Sequence, residues 1–260
     1  MNCGISTACF FPQETAASLQ RLTEARVPVT EVFLNTFSEM EDDYISRLLA
    51  LVRASGTRVS AVHPCSSMLD GFFFATDYEG RFADGEKLYR RYCEICRVLG
   101  ADRLVFHGDH AANAEVFSAE RYAASFRRLA AVTKQQGVLL CHENVSYCRL
   151  GAPERVRELR ALLREDAAFV LDTKQARRAG CGWREMLEAM GEDICHVHIS
   201  DYTREENCLP PGRGIADFPS MIGALREKGF DGDLLIELYE DNYESQDILI
   251  EAMDFINNLL

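Results

Sequence analysis

A chain of 260 residues can bury a full core as one large α/β barrel or as two smaller domains, and length alone does not choose between them. A formal net charge of -13 and a pI near 5.0 set an overall field that repels polyanions, so nucleic acid is not expected as a partner, while small polar substrates stay open. The 10 cysteines are scattered through apolar runs such as those around Cys9, Cys141 and Cys195, where a free thiol packs as a small hydrophobe, and a reducing cytoplasm is the expected location. Met1 to Phe11 lacks a basic segment of the targeting type, and no apolar run approaches the ~20 residues that span a bilayer.

In chain order, Cys3 to Cys9 reads as a first strand, followed by a helix from about Glu14 to Ala25 and a second strand from Val29 to Leu34. From Glu41 to Ala54, Ile45, Leu48, Leu49 and Val52 recur at helical spacing, and Gly56 stops the run. Arg58 to Val62 is strand three, ending at His63-Pro64. Cys65 to Phe82 reads as a long irregular connection carrying Phe72-Phe73-Phe74, before a helix with Leu88, Tyr92, Ile95, Cys96 and Leu99 on one face. Leu104 to Phe106 ends at His107-Gly108-Asp109-His110, and Ser118 is placed to cap the helix bearing Tyr122, Phe126, Leu129 and Val132.

Val138 to Cys141 forms strand five and ends in His142-Glu143-Asn144. Pro153 suits the first turn of the next helix, and Phe169 to Leu171 ends in Asp172-Thr173. After helical segments around Trp183 and Met190 comes Cys195-His196-Val197-His198-Ile199-Ser200-Asp201, an apolar strand with alternating histidines. Leu209-Pro210-Pro211-Gly212-Arg213-Gly214 then reads as a turn-rich loop. Phe218 to Leu225 gives a further helix, Leu234 to Leu238 the eighth strand, and Ser245 is placed to cap a last helix.

Eight short apolar strands, each followed by an amphipathic helix and with no linker between them, predict a single (β/α)8 TIM barrel over residues 1–260. No glycine-rich phosphate loop follows the first strand, as an open dinucleotide-binding sheet would want. In a closed barrel the carboxyl ends of the strands meet in one ring. There the strands deliver His63, His107, Glu143, Asp172, His198 and Glu237, so six of eight end in an imidazole or carboxylate. A single histidine before a proline, as at His63, is commonly a capping or core residue. Glu143, Asp172 and Glu237 differ, because each ends an aliphatic strand where an unpaired carboxylate carries a large desolvation penalty that a metal ion removes. His196 could point inward as well as His198.

The set Glu143-Asn144, Leu171-Asp172-Thr173, His196-Val197-His198-Ile199-Ser200-Asp201, Pro211-Gly212-Arg213-Gly214 and Ile236-Glu237-Leu238 resembles the xylose-isomerase-like barrel superfamily, most clearly over Leu139 to Tyr239. Within it the resemblance is to sugar phosphate isomerases and epimerases, which include ketose 3-epimerases and inosose dehydratases and are related to the endonuclease IV type of abasic-site nuclease. The resemblance implies that Glu143, Asp172, His198 and Glu237 bind one divalent ion, manganese, magnesium, cobalt or zinc, and that Glu143 and Glu237 exchange a proton with a substrate carbon on opposite faces. It favours His198 over His196 as the ligand. It also implies substrate contacts for Arg204, and for His63 and His107, which match two ligands of the nuclease cluster and so leave open a second metal bridged by Glu143. Where the family often has a histidine after strand six, this chain has Gln175, which hydrogen-bonds a hydroxyl but does not ligate metal as imidazole does. Pro211 and Arg213 stand where the nuclease branch has its remaining zinc ligands, so a trinuclear zinc site is not expected.

The expected activity is thus a metal-dependent isomerase or epimerase of a keto-sugar, sugar phosphate or related polyol. An inosose-type dehydratase, a repair nuclease and a non-catalytic metal- or sugar-binding barrel are the alternatives, and a homo-oligomer is compatible with all of them. Lys174, Arg204 and Arg213 are the cations available to cradle a phosphate. Phe72 to Phe74, with Phe10 and Phe11, read either as a wall over the sugar or as burial against the barrel rim. Cys93 and Cys96 have CxxC spacing but lie within an amphipathic helix and lack a second pair.

Overall fold

In the computed structural model, which describes residues 1–260, the barrel strands are β1 (Cys3–Ser6), β2 (Val29–Phe33), β3 (Arg58–His63), β4 (Arg103–Phe106), β5 (Leu139–Glu143), β6 (Phe169–Asp172), β7 (Ile194–Ile199) and β10 (Leu234–Ile236). They close, all parallel, in the ring order β1-β10-β7-β6-β5-β4-β3-β2. Between β7 and β10 lies a small antiparallel hairpin, β8 (Asp201–Tyr202) with β9 (Asn207–Leu209). The helices are α1 (Thr15–Glu24), α2 (Asp42–Ser55), α3 (Asp70–Phe74), α4 (Glu79–Leu99), α5 (Ala119–Gln135), α6 (Pro153–Leu163), α7 (Thr173–Arg178), α8 (Trp183–Met190), α9 (Phe218–Glu227) and α10 (Gln246–Asn257). No helix is long and apolar enough to cross a membrane.

The apolar periodicity explains the layers. Outward strand residues and inward helix residues merge into one core cluster of 62 buried side chains between sheet and helices. Gly56 and Gly100 adopt left-handed backbone at the ends of α2 and α4, which terminates both helices where the periodic pattern stops. Ser118 caps α5 by accepting from the Arg121 N–H, whereas Ser245 makes no side-chain bond at the start of α10.

Two expectations change. The first strand stops at Ser6, because residues 7–10 turn into a short 3-10 helix. The connection after β3 is not irregular: it holds α3, and α4 begins at Glu79. Phe74 drives this, since its buried ring packs against Phe82, Tyr89 and Phe106. A Cβ at Gly85 would lie 2.6 Å from the Phe74 ring, so the bare glycine lets α4 approach α3. Phe72 and Phe11 stay about half exposed while Phe10 is buried, so the aromatic residues divide between rim and core. Asp201 is buried and gathers the N–H groups of Tyr202, Gly212, Gly214 and Ala216, organising the loop that follows β9.

Candidate metal centre

Glu143 and Asp172 are the last residues of β5 and β6, His198 is next to last in β7, and Glu237 directly follows β10. Alternation along each strand turns all four inward. One donor atom from each lies within 4.8 Å of the others, and Glu143, Asp172 and His198 are almost completely buried.

The donors are held in a consistent way. Asp172 Oδ1 accepts the Gln175 N–H at 2.8 Å as the N-cap of α7, leaving Oδ2 without a hydrogen bond and 3.2 Å from Lys174 Nζ. Glu237 Oε1 accepts from Lys174 Nζ at 2.7 Å, leaving Oε2 free. His198 Nε2 is 3.0 Å from Glu31 Oε2, leaving Nδ1 free and 3.2 Å from Glu237 Oε2, 3.5 Å from Glu143 Oε1 and 3.8 Å from Asp172 Oδ2. Asp172 Oδ2, Glu237 Oε2 and His198 Nδ1 are all buried without a hydrogen-bond partner. Buried polar atoms are normally satisfied, so three orphans converging beside Glu143 Oε1 mark a place that requires a cation or a proton. Three carboxylates with one imidazole suit a divalent ion of the manganese, magnesium, cobalt or zinc class, and in that sense the residues fit such an ion.

The electrostatics agree. Burial alone would raise the Glu143 carboxyl, but the imidazoles of His107, His198 and His63 outweigh it and hold the group well below the ordinary carboxylate range. For Glu237, His198 and Lys174 outweigh burial in the same direction. Burial opposes charge on His198, yet Glu237 and Glu31 hold its imidazole well above the ordinary value. His196 goes the other way, because burial prevails over its bond to Glu31 and favours the neutral ring.

His63 ends β3 and His107 directly follows β4. Their Nε2 atoms lie 2.9 Å apart, and Glu143 Oε2 is 2.9 Å from His107 Nε2 and 3.7 Å from His63 Nε2. Glu143 therefore turns one oxygen towards His198 and the other towards this pair. Asp70, buried at the start of α3, accepts from the backbone N–H groups of His107 and Gly108 and from the Tyr89 hydroxyl, which fixes the turn after β4. Gly108 makes that turn tight. Its positive φ of 80° and the Tyr122 hydroxyl, 2.1 Å from where a Cβ would sit, show that the turn packs directly on Tyr122 and His142.

Gln175 is buried and its Oε1 accepts the Ser146 N–H at 3.1 Å. Arg204 sits exposed at the tip of the β8–β9 hairpin, where its carbonyl accepts from Arg177. Lys174, Arg204 and Arg213 do not gather into a phosphate cradle, because Lys174 turns to Glu237 and Asp172 while Arg213 pairs with Glu251.

Two participants escape a search of strand ends. Glu31, in the middle of β2 and fully buried, takes His196 and His198 on Oε2 and the Ser6 hydroxyl on Oε1. It fixes which nitrogen of His198 faces the carboxylates, the usual office of a carboxylate behind a ligand histidine. The signal was present in the sequence: an acid within Val29–Phe33, an otherwise uncharged strand. Lys174 is the other, buried two residues after Asp172.

The family description "Xylose isomerase-like TIM barrel" matches residues 25–259. Inosose isomerase of Bacillus subtilis (strain 168) is 26% identical over 125 residues, 44% of this chain and 45% of that protein, so the match spans less than half of the relative. Among solved structures, a D-tagatose 3-epimerase-like protein superposes with a TM-score of 0.78 at 19% identity, covering 99% of both chains. D-psicose 3-epimerase from Clostridium cellulolyticum H10 gives 0.77 at 16% identity, covering 100% of this chain and 99% of that one. At such identities the superpositions establish the fold, and with the family match they lead to one assignment: the chain belongs to the xylose isomerase-like TIM-barrel family.

Proposed function

We propose that the protein is a divalent-metal-dependent isomerase or epimerase acting on a small keto-sugar, sugar phosphate or related polyol, through an enediolate flanked by Glu143 and Glu237. The observation that carries this reading is the convergence of one donor atom each from Glu143, Asp172, His198 and Glu237 at the carboxyl ends of four strands, those of the last three buried and without a hydrogen-bond partner. Similarity to an inosose isomerase and to ketose 3-epimerases supports a polyhydroxy ketone as the substrate class.

A divalent ion bound by the four residues would polarise a substrate carbonyl and stabilise negative charge on its oxygen. Glu143 takes the proton from the carbon beside that carbonyl, the C–H electron pair moving into the enediolate. Glu237, on the other face, takes up a proton from solvent and delivers it to that carbon while Glu143 later releases its own to solvent, and the Lys174 ammonium at 2.7 Å holds Glu237 Oε1 in place. His63 and His107 offer ring nitrogens to substrate hydroxyls, and Gln175 and Arg204 lie in the connections after β6 and β7 that border the mouth. Exclusion of water by the buried donors strengthens each of these interactions.

Recovered ketose incubated in deuterium oxide should carry deuterium on carbon without loss of water. Glu143→Gln and Glu237→Gln should each slow that exchange by about 10²–10⁴-fold, and exchange at the wild-type rate would sink the two-carboxylate mechanism. Net dehydration would assign a lyase of the inosose-dehydratase type instead, and cleavage of an abasic-site duplex would assign a nuclease. The close approach of His63, His107 and Glu143 favours a second reading in which those three hold a further ion. Elemental analysis of the purified protein separates the two, with one ion per chain for the first and two for the second.

A further inference from the structure

Lys174 is the only lysine or arginine that contacts any of the four candidate ligands. It projects from the first turn of α7, the helix that Asp172 caps, and is 2% exposed. Its Nζ lies 2.7 Å from Glu237 Oε1 and 3.2 Å from Asp172 Oδ2, with the Tyr239 ring centroid 5.0 Å away on another side. Asp172 Oδ2 is also one of the unpartnered atoms directed at the four-donor centre. The ammonium therefore stands beside an oxygen that an incoming metal ion would need.

Resting on the metal reading above, we propose that Lys174 is a tethered counter-cation: it keeps the carboxylates of the site assembled in the absence of metal, and it competes with the metal for Asp172, setting the affinity below what four such donors would otherwise give. The charges make the case. Glu143, Asp172 and Glu237 bring three negative charges into a buried space, and three unneutralised carboxylates there would repel one another. The ammonium removes one of those charges permanently. A dication removes two, so ion and lysine together leave the carboxylate set neutral. The same arithmetic makes the lysine repel the metal. Loss of a positive charge a few ångströms from a bound dication strengthens binding. A lysine whose sole office was to orient Glu237 would behave in the opposite way, since removing an orienting partner loosens a ligand and weakens the metal.

The sign of one substitution decides. Manganese affinity is measured by calorimetry on metal-stripped wild type, Lys174→Met and Lys174→Arg, with thermal unfolding of each chain with and without the ion. Lys174→Met should bind manganese on the order of tenfold more tightly or better, melt at a lower temperature when stripped, and gain more from added metal than wild type. Lys174→Arg, which keeps the charge, should stay within a few fold of wild type. Unchanged or weaker binding by Lys174→Met overturns the proposal. Should that variant fold only in the presence of manganese, its affinity is read by chelator competition from the loaded form, with the same expected direction, and Lys174→Gln serves as a second neutral replacement. A wild type that binds none of manganese, magnesium, cobalt or zinc defeats the metal reading itself, an outcome distinct from a wild type that binds while Lys174→Met binds no better.

Discussion

Inside the barrel, Val105, Cys141 and Val170, with half-buried Cys195 against them, form a small apolar plug separate from the 62-residue core outside the sheet. One inward step along the same strands, two residues and about 6.6 Å, Cys141 gives way to Glu143 and Val170 to Asp172, while Val105 is followed by His107 just past the end of β4. The two layers share backbone, register and burial, and differ only in side chain. The apolar layer is stabilised by removal from water. The ionisable layer must offset desolvation by pairing its members, through Glu31 with two histidines, Lys174 with two carboxylates, and Glu143 with three imidazoles. After that pairing Asp172 Oδ2, Glu237 Oε2 and His198 Nδ1 are left without a hydrogen bond and directed at a common point.

The sharpest way to break this distinction is to move a charge one step down. Val170→Asp puts a carboxylate into the plug, where its inward neighbours are Val105 and Cys141. It should cost about 3–5 kcal/mol, read as a fall in the denaturant midpoint, and a stability within about 0.5 kcal/mol of wild type would mean that the plug tolerates charge as the upper layer does. A smaller effect tests the pairing within the upper layer. Glu31→Gln keeps the shape but replaces one acceptor oxygen with a donor, so His196 and His198 no longer share a carboxylate. Manganese affinity should fall by about 10–100-fold, and an unchanged dissociation constant would show that His198 is oriented by the strand alone.

Much of the barrel was legible because strands alternate and helices repeat: each of the eight barrel strands overlaps the apolar run that announced it. His63, Glu143, Asp172 and His198 were equally visible as ionisable residues closing apolar strands. Glu31 was not, because it stands mid-strand where a search of strand ends does not look, although the desolvation argument applied to Glu143 applies to it unchanged. Helix α3 was missed because Asp70 to Phe74 holds only one turn with no room for a period, and its formation depends on the tertiary burial of Phe74. The office of Asp201 was hidden for a similar reason. Its partners lie 11 to 15 residues away in a loop that proline and glycine made look structureless, and only the fold brings their N–H groups together.

The far end of the barrel allows the gentlest test, on a carboxylate whose partners are fixed and whose site has no orphan atoms. Asp233, just before β10, accepts from the Asn2 N–H at 3.0 Å and pairs with Arg58 at the start of β3, linking the entries of three strands. Partial burial would raise its carboxyl, but Arg58 and the Asn2 bonds prevail and hold it below the ordinary value. A carboxyl with a depressed folded pKa contributes stability that is present above its unfolded value, near 3.9, and is lost as pH falls through the lower folded value. Arg58 is half exposed, so solvent screens the pair and the contribution should be about 1 kcal/mol or less. The melting temperature of Asp233→Asn should therefore lie a few degrees below wild type at neutral pH, and the gap should narrow only once the pH drops below about 4. A gap that instead widened in acid would mean that protonated Asp233 is the better partner, and that this end of the barrel, unlike the end that carries Glu143 and Asp172, is not held by charge.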